Sequence, residues 1–284
     1  MSEQFQPITY TPESEARTPL KMIPAMWHDL LASRELAWRL TVRDISSKYR
    51  ESVLGLLWAF LPPILAGIVF VFLHNKSIVD FGDVGMPYPV YTFIGTALWQ
   101  LFVESINLPL RTVTASKAML AKINFPREAL ILSAFYQSLF SLFIKSILLV
   151  AIILFFRVDV SFTSILFLVP AILLIWLGLV IGLLLTPLGM LYNDVSSSVI
   201  IFTQFLFFIT PVVYAVPTTY PYSLLAFLNP VTPYLTAARD ILVLGTTDNI
   251  GIMAVTTIFL AIFLFIGWYI YRLSMPVLIE RISA

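Results

Sequence analysis

The chain has 284 residues, 59% hydrophobic and only 12% charged, with a formal net charge of +1 and a mean hydropathy of +0.92. Soluble chains average about 25% charged residues, so a water-soluble domain of this length is hard to build and most apolar surface must meet lipid or other helices. Near-neutral charge argues against nucleic acid, and the absence of cysteine excludes a disulfide framework, a thiol nucleophile and a thiolate metal site.

In chain order, residues 1–26 lack the apolar core and cleavage site of a signal peptide and read as a disordered cytoplasmic tail. Residues 27–52 read as an amphipathic helix. Trp27, Leu30, Leu31, Trp38, Val42 and Ile45 form its apolar stripe, Arg39 and Arg43 lie opposite, and Leu36 and Leu40 fall off the pattern. One reading is an interfacial helix with tryptophan anchors; the other is a helix held by lipid above and a protein below. Arg34, Arg39, Arg43, Lys48 and Arg50 stand before the first apolar span, the arrangement that keeps such an end in the cytoplasm.

Residues 53–271 form an all-α polytopic domain, since a bilayer core needs about 20 apolar residues per helix. Six spans are expected: Val53–Leu73, Val90–Leu110, Ala129–Phe156, Ile165–Leu185, Val199–Tyr214 and Ile252–Tyr271. Residues 272–284 then form a cytoplasmic tail. Of 17 lysines and arginines, this topology places only Lys76, Arg157 and Arg239 outside and Lys145 within a span, as two cytoplasmic termini require.

The basic loop 111–128 holds a short helical run, Ser116 to Lys122, either solvated or a second docking element, and Pro126 with Glu128 marks the next helix start. Tyr192-Asn193-Asp194 suits a helix cap. Between 215 and 249, prolines cut apolar sequence into pieces too short to span. Asn229-Pro230 followed by Val231 to Val243 reads as a proline-started helix of a re-entrant or interfacial hairpin, with a surface loop as the alternative.

No P-loop, Gly-x-Ser-x-Gly or His-Glu-x-x-His motif is present, so nothing in the sequence points to an enzyme. Gly178 and Gly182 make a Gly-x-x-x-Gly step that permits close helix approach. Glu104 and Lys145 fall inside spans, where ionisable groups are costly; their expected depths differ, which argues against a direct pair. Snorkelling toward an interface and a place in a pore wall both remain open. Aromatic residues concentrate in the second and fifth spans, among them Tyr91, Trp99, Phe102, Phe205, Phe208 and Tyr214. They read either as interfacial belts or as a ladder on which sugar faces slide.

The order of parts resembles ABC-2 type permeases, more narrowly the branch that exports polysaccharide, O-antigen and teichoic acid. The likeness rests on Arg43-Asp44 through Tyr49-Arg50-Glu51-Ser52-Val53-Leu54-Gly55-Leu56-Leu57-Trp58, on Asn124-Phe125-Pro126-Arg127-Glu128, on Tyr192-Asn193-Asp194-Val195, and on Asn229-Pro230 through Ala238-Arg239-Asp240. Where the family usually has Arg-Asp, this chain has Asn193-Asp194. The resemblance implies a homodimer of six-span subunits in a bacterial inner membrane, seated on two copies of an ATP-binding subunit. That subunit would hold ATP and Mg; this chain would bind no cofactor or metal. It further implies coupling to the ATPase through Arg39, Arg43, Asp44, Lys48, Arg50, Lys117, Lys122 and Arg127. Channel contacts with a lipid-linked glycan would come from Tyr91, Trp99, Phe102, Glu104, Lys145, Phe205, Phe208 and Tyr214. Asn229, Pro230, Arg239 and Asp240 would belong to a periplasmic gate. Rival readings are an exporter of another amphiphile (teichoic acid, lipid or drug), an ion-gradient transporter using Glu104 and Lys145, and a polyprenyl-dependent glycosyltransferase.

Overall fold

A computed structural model describes residues 19–50, 54–79, 81–123, 125–192 and 194–283. Glu51, Ser52, Val53, Asn124, Asn193 and most of the expected tail lie outside the described residues. The elements are helices α1 Pro19–Ala32, α2 Arg34–Arg50, α3 Leu57–Asn75, α4 Tyr88–Ala115, α5 Lys117–Lys122 and α6 Glu128–Phe155. A 3-10 turn Phe162–Phe167 leads into α7 Leu168–Leu191, followed by α8 Asp194–Ile209, α9 Tyr222–Leu228, α10 Val231–Leu244 and α11 Ile250–Ser283.

Among the described residues, four segments are long and apolar enough to cross a membrane: Leu57–Asn75, Glu128–Phe155, Phe162–Leu191 and Ile250–Arg281. The other two expected spans differ for separate reasons. Helix α4, 28 residues long, reaches about 42 Å but carries Glu104, Asn107, Arg111 and four scattered threonines. It tolerates them because it is the central helix, buried along most of its length. Helix α8 has only 16 residues, about 24 Å, and is an apolar helix below the length of a full span.

Helix α4 packs most tightly on α7, and the sequence explains how. A Cβ at Gly178 would lie 2.8 Å from the Phe102 carbonyl oxygen, and one at Gly182 only 2.2 Å from that of Ile106. Glycine at both positions lets the two backbones touch, so the Gly-x-x-x-Gly step is the central helix contact. Apolar side chains of α4, α6, α7 and α10 fill the main core around it. A second cluster, including Met26, Leu40, Leu120, Leu130, Trp268, Tyr271 and Met275, closes the end of the bundle that carries α1, α2 and α5. We call this the basic end.

Two expectations about that end are corrected. A helix already runs from Pro19, and Met22 and Met26 are buried, so residues 19–26 are not part of a disordered tail. Helix α11 likewise continues without a break past Arg272 to Ser283, where a tail was expected. In both cases a neighbouring apolar cluster holds sequence that looks too polar or too short to be structured alone.

Candidate functional site: three polar clusters in an apolar bundle

The amphipathic segment bends at Ser33 into α1 and α2. Its expected stripe lies mostly outward: Trp27, Leu31, Trp38 and Val42 are exposed and Leu30 and Ile45 half-buried, whereas Met26, Ala37, Leu40 and Thr41 are buried. The helix therefore has three faces, with apolar surface outward, small and branched residues against the bundle, and cations on the third. Thr41 and Ser133 hydroxyls lie 3.1 Å apart, and Gln137 Nε2 donates to the Asp44 carboxylate at 3.2 Å, tying α2 to α6. Arg39 pairs with Glu35 at the surface, and the exposed Arg43 with the half-buried Asp44. Among the expected coupling residues, Arg39, Arg43, Lys48, Arg50 and Lys122 are exposed. Asp44 and Lys117 turn inward instead; Lys117 Nζ donates to the Met190 carbonyl at 3.0 Å. A notch of about 240 Å³ lies between Leu120, Lys122, Phe125, Arg127 and Ile279.

The second cluster is the Glu104–Lys145 pair. Lys145 Nζ lies 2.8 Å from Glu104 Oε2, contrary to the expected mismatch of depth. The mismatch came from ending the second span at Leu110. Helix α4 in fact continues to Ala115, which puts Glu104 about 16 Å from that end against about 26 Å for Lys145 along α6. The pair is lopsided: the lysine side chain is 3% exposed and the glutamate 34%. The carboxylate opens into a groove of about 690 Å³ lined by Ala66, Trp99, Gln100, Thr203, Gln204, Phe207 and Phe208. On its other side it borders a small polar cavity with Lys48, Tyr49, Arg111 and Gln137. Burial, and secondarily this carboxylate, holds the Tyr49 phenol above its ordinary pKa.

Of the aromatic candidates, Trp99 and Phe208 line the groove. Phe205 is exposed on α8 and Tyr214 half-buried. Phe102 corrects the expectation: it is fully buried against Trp99 in the α4–α7 core and reaches no open surface. Tyr91 is also internal, donating to the Tyr214 carbonyl at 2.7 Å.

The third cluster sits where α8 gives way to irregular backbone. The Arg239 guanidinium is buried, lies 3.5 Å over the Tyr91 ring and donates to the Val212 carbonyl at 2.8 Å and that of Pro211 at 3.3 Å. Carbonyls freed at a helix end need such a donor when water is excluded. A Cβ at Gly95 would lie 2.0 Å from the Val212 oxygen and 2.6 Å from the guanidinium, so only glycine admits this arrangement. Asn229 caps α10: its Oδ1 accepts from Val231 N at 3.0 Å and its Nδ2 donates to Thr210 at 2.7 Å. Gly245, left-handed at φ 77°, ends that helix. Pro230, just before that helix, is exposed, and Asp240, within it, is half-buried.

One more set of residues was not legible as a site. Arg272 Nη2 lies 2.8 Å from Asp29 and Nη1 2.6 Å from Glu128, and all three side chains are buried. Glu128 reads in sequence as a helix-start signal and Arg272 as one cation beyond the last span, with nothing to join them to Asp29.

Among the described residues no group of His, Cys, Asp and Glu could hold a metal ion. An apolar helical bundle with basic residues at one end and polar clusters inside it has the make-up of a membrane-spanning protein. The chain belongs to the ABC-2 type transporter family, whose model matches residues 35–243. It is similar to an O-antigen export system permease protein RfbA of Myxococcus xanthus, 26% identical over 75% of this chain and 82% of that one. Two proteins of the same description from Klebsiella pneumoniae are 26% and 24% identical, each over 78% of this chain and 86% of theirs.

Proposed function

We propose that this chain is the permease subunit of an ATP-driven exporter that moves a lipid-linked polysaccharide across a bacterial inner membrane. The observation that carries the reading is the Glu104–Lys145 pair opening into the aromatic groove. A carboxylate facing lipid at this depth costs about 2.5–3.5 kcal/mol, so a groove holding one belongs against a wet path or a second subunit. Flanking helices support this: α3 buries only Pro63 and Gly67, and α8 only Val199 and Thr203, leaving much apolar surface for a partner copy. Trp99, Phe207 and Phe208 offer flat faces to sugar rings, and Gln100, Gln204 and Glu104 offer groups for hydroxyls. Such a lining holds a polymer weakly and lets it slide. The names of the similar permeases support O-antigen or a related glycan as cargo.

In this reading α3, α4, α6, α7, α8 and α11 are six spans, with α8 completed by the segment that follows it, and both termini are cytoplasmic. Helices α1 and α2 lie at the membrane surface. Two permeases and two ATP-binding subunits form the exporter, and the ATP-binding subunits hold ATP and Mg. Arg39, Arg43, Lys48, Arg50, Lys122 and Arg127 face the ATPase, which pushes on the basic end as it closes. Helices α9 and α10 form the periplasmic gate hairpin, its base set by Asn229, Arg239 and Asp240. The experiment is a mild-detergent pull-down of the tagged chain from its own cells. A stoichiometric ATP-binding subunit is expected; recovery of the chain alone, even after crosslinking, would overturn the reading and favour a gradient-driven transporter.

A further inference from the structure

We propose that Arg272 is a positioning residue that locks α1 to the start of α6 and to the body of α11, so that these three elements move as one body at the basic end. The functional part of this inference rests on the exporter reading above; the mechanical part does not. Three facts support the lock. The guanidinium forks, one nitrogen on Asp29 of α1 and the other on Glu128 of α6, at 2.8 and 2.6 Å. Its own backbone belongs to α11, so a single side chain joins three elements whose residues lie 99 and 144 positions apart. The joint is dry: Asp29, Glu128 and Arg272 are each less than a tenth exposed.

Neighbouring contacts give it direction. Trp27 packs edge-on against Trp268 at 5.4 Å, one helical turn from Arg272, and the Tyr271 hydroxyl donates to the Arg127 carbonyl at 3.2 Å. The Ser33 hydroxyl donates to the Asp29 carbonyl at the bend into α2. A force on the cations of α2 thus runs along that helix to the bend at Ser33, one turn from Asp29, and passes through the guanidinium to two spans. A planar, always-charged fork with two fixed hydrogen bonds resists rotation in a way that greasy contact does not. Removing it leaves two carboxylates facing each other in a buried site, which α1 escapes by detaching.

The mechanical test is hydrogen exchange on the full chain in lipid nanodiscs, with Arg272→Gln against the native protein. Amides of α1 should exchange at least 10-fold faster, while the middles of α6 and α11 keep their protection. Unchanged exchange in α1, or loosening spread evenly through the bundle, would overturn the lock. If Arg272→Gln does not fold, Asp29→Asn removes one prong from the α1 side and should give the same local change.

The functional test uses the chain with its co-purified ATPase. Arg272→Gln should keep ATP hydrolysis within about twofold and lose export at least 10-fold, with Arg272→Lys intermediate. Equal loss of hydrolysis and export would overturn the transmission role. Failure of the native chain to bind an ATPase would instead remove the exporter reading and leave the exchange result standing.

Discussion

The lopsided Glu104–Lys145 pair makes a quantitative prediction about which half matters more. The lysine side chain is 3% exposed, so its ammonium has no water to fall back on; the glutamate, 34% exposed, opens to the groove. Breaking a buried pair costs about 3–5 kcal/mol because it strands the remaining charge. Glu104→Gln strands the buried lysine and should cost that full amount. Lys145→Met strands the glutamate, which the groove partly hydrates, so about 1–2 kcal/mol is expected once solvent screening is allowed for. The double variant Glu104→Gln/Lys145→Met strands neither and should recover most of the loss, giving a coupling energy of about 2 kcal/mol or more. SDS-driven unfolding in mixed micelles, followed by tryptophan fluorescence, measures all four proteins. Additive losses in the double variant, or a larger loss for Lys145→Met than for Glu104→Gln, would refute the reasoning.

Gly182→Leu should separate α4 from α7, because even its Cβ meets the Ile106 carbonyl at 2.2 Å; a loss of about 1–3 kcal/mol or failure to fold is expected, read in the same unfolding assay. Arg239→Met removes the guanidinium nitrogen that donates to both the Pro211 and Val212 carbonyls and the cation over Tyr91, and should cost about 2–3 kcal/mol; an unchanged melting temperature would show that the break closes without it. Asn229→Ala loses the cap of α10 and should cost about 1 kcal/mol, visible as faster exchange confined to the first turn of that helix. Charge reversal at both Arg39 and Arg43 should leave membrane insertion intact and abolish export of surface glycan. Unimpaired export in that double variant would remove these arginines from the coupling surface.

Much of the architecture was legible because the rules that set it are local. A bilayer demands long apolar helices, so composition alone declared an all-helical membrane protein, and the start of α6 at Glu128 and the body of α10 fall where proline and capping chemistry put them. The family resemblance, too, was readable from ordered short motifs. What escaped was whatever depends on which face of a helix meets which neighbour. The stripe of Trp27, Trp38 and Val42 is the most apolar face of its segment, yet it lies outward while Ala37, Leu40 and Thr41 meet the bundle. In a membrane, apolarity no longer distinguishes a buried face from a lipid-facing one; small residues and hydroxyls do, because they permit close approach and hydrogen bonds. The same reason hid Phe102 in the core and left the Gly178–Gly182 step looking ordinary. The charged clusters were hidden differently. Glu104 and Lys145 met because α4 runs five residues further than its apolar stretch, and Asp29, Glu128 and Arg272 met across most of the chain's length. Residue order and composition set the helices, their medium and their basic end. The partners of each buried charge follow from the packed fold, since a charge in a dry interior is satisfied by position in space and not by position along the chain.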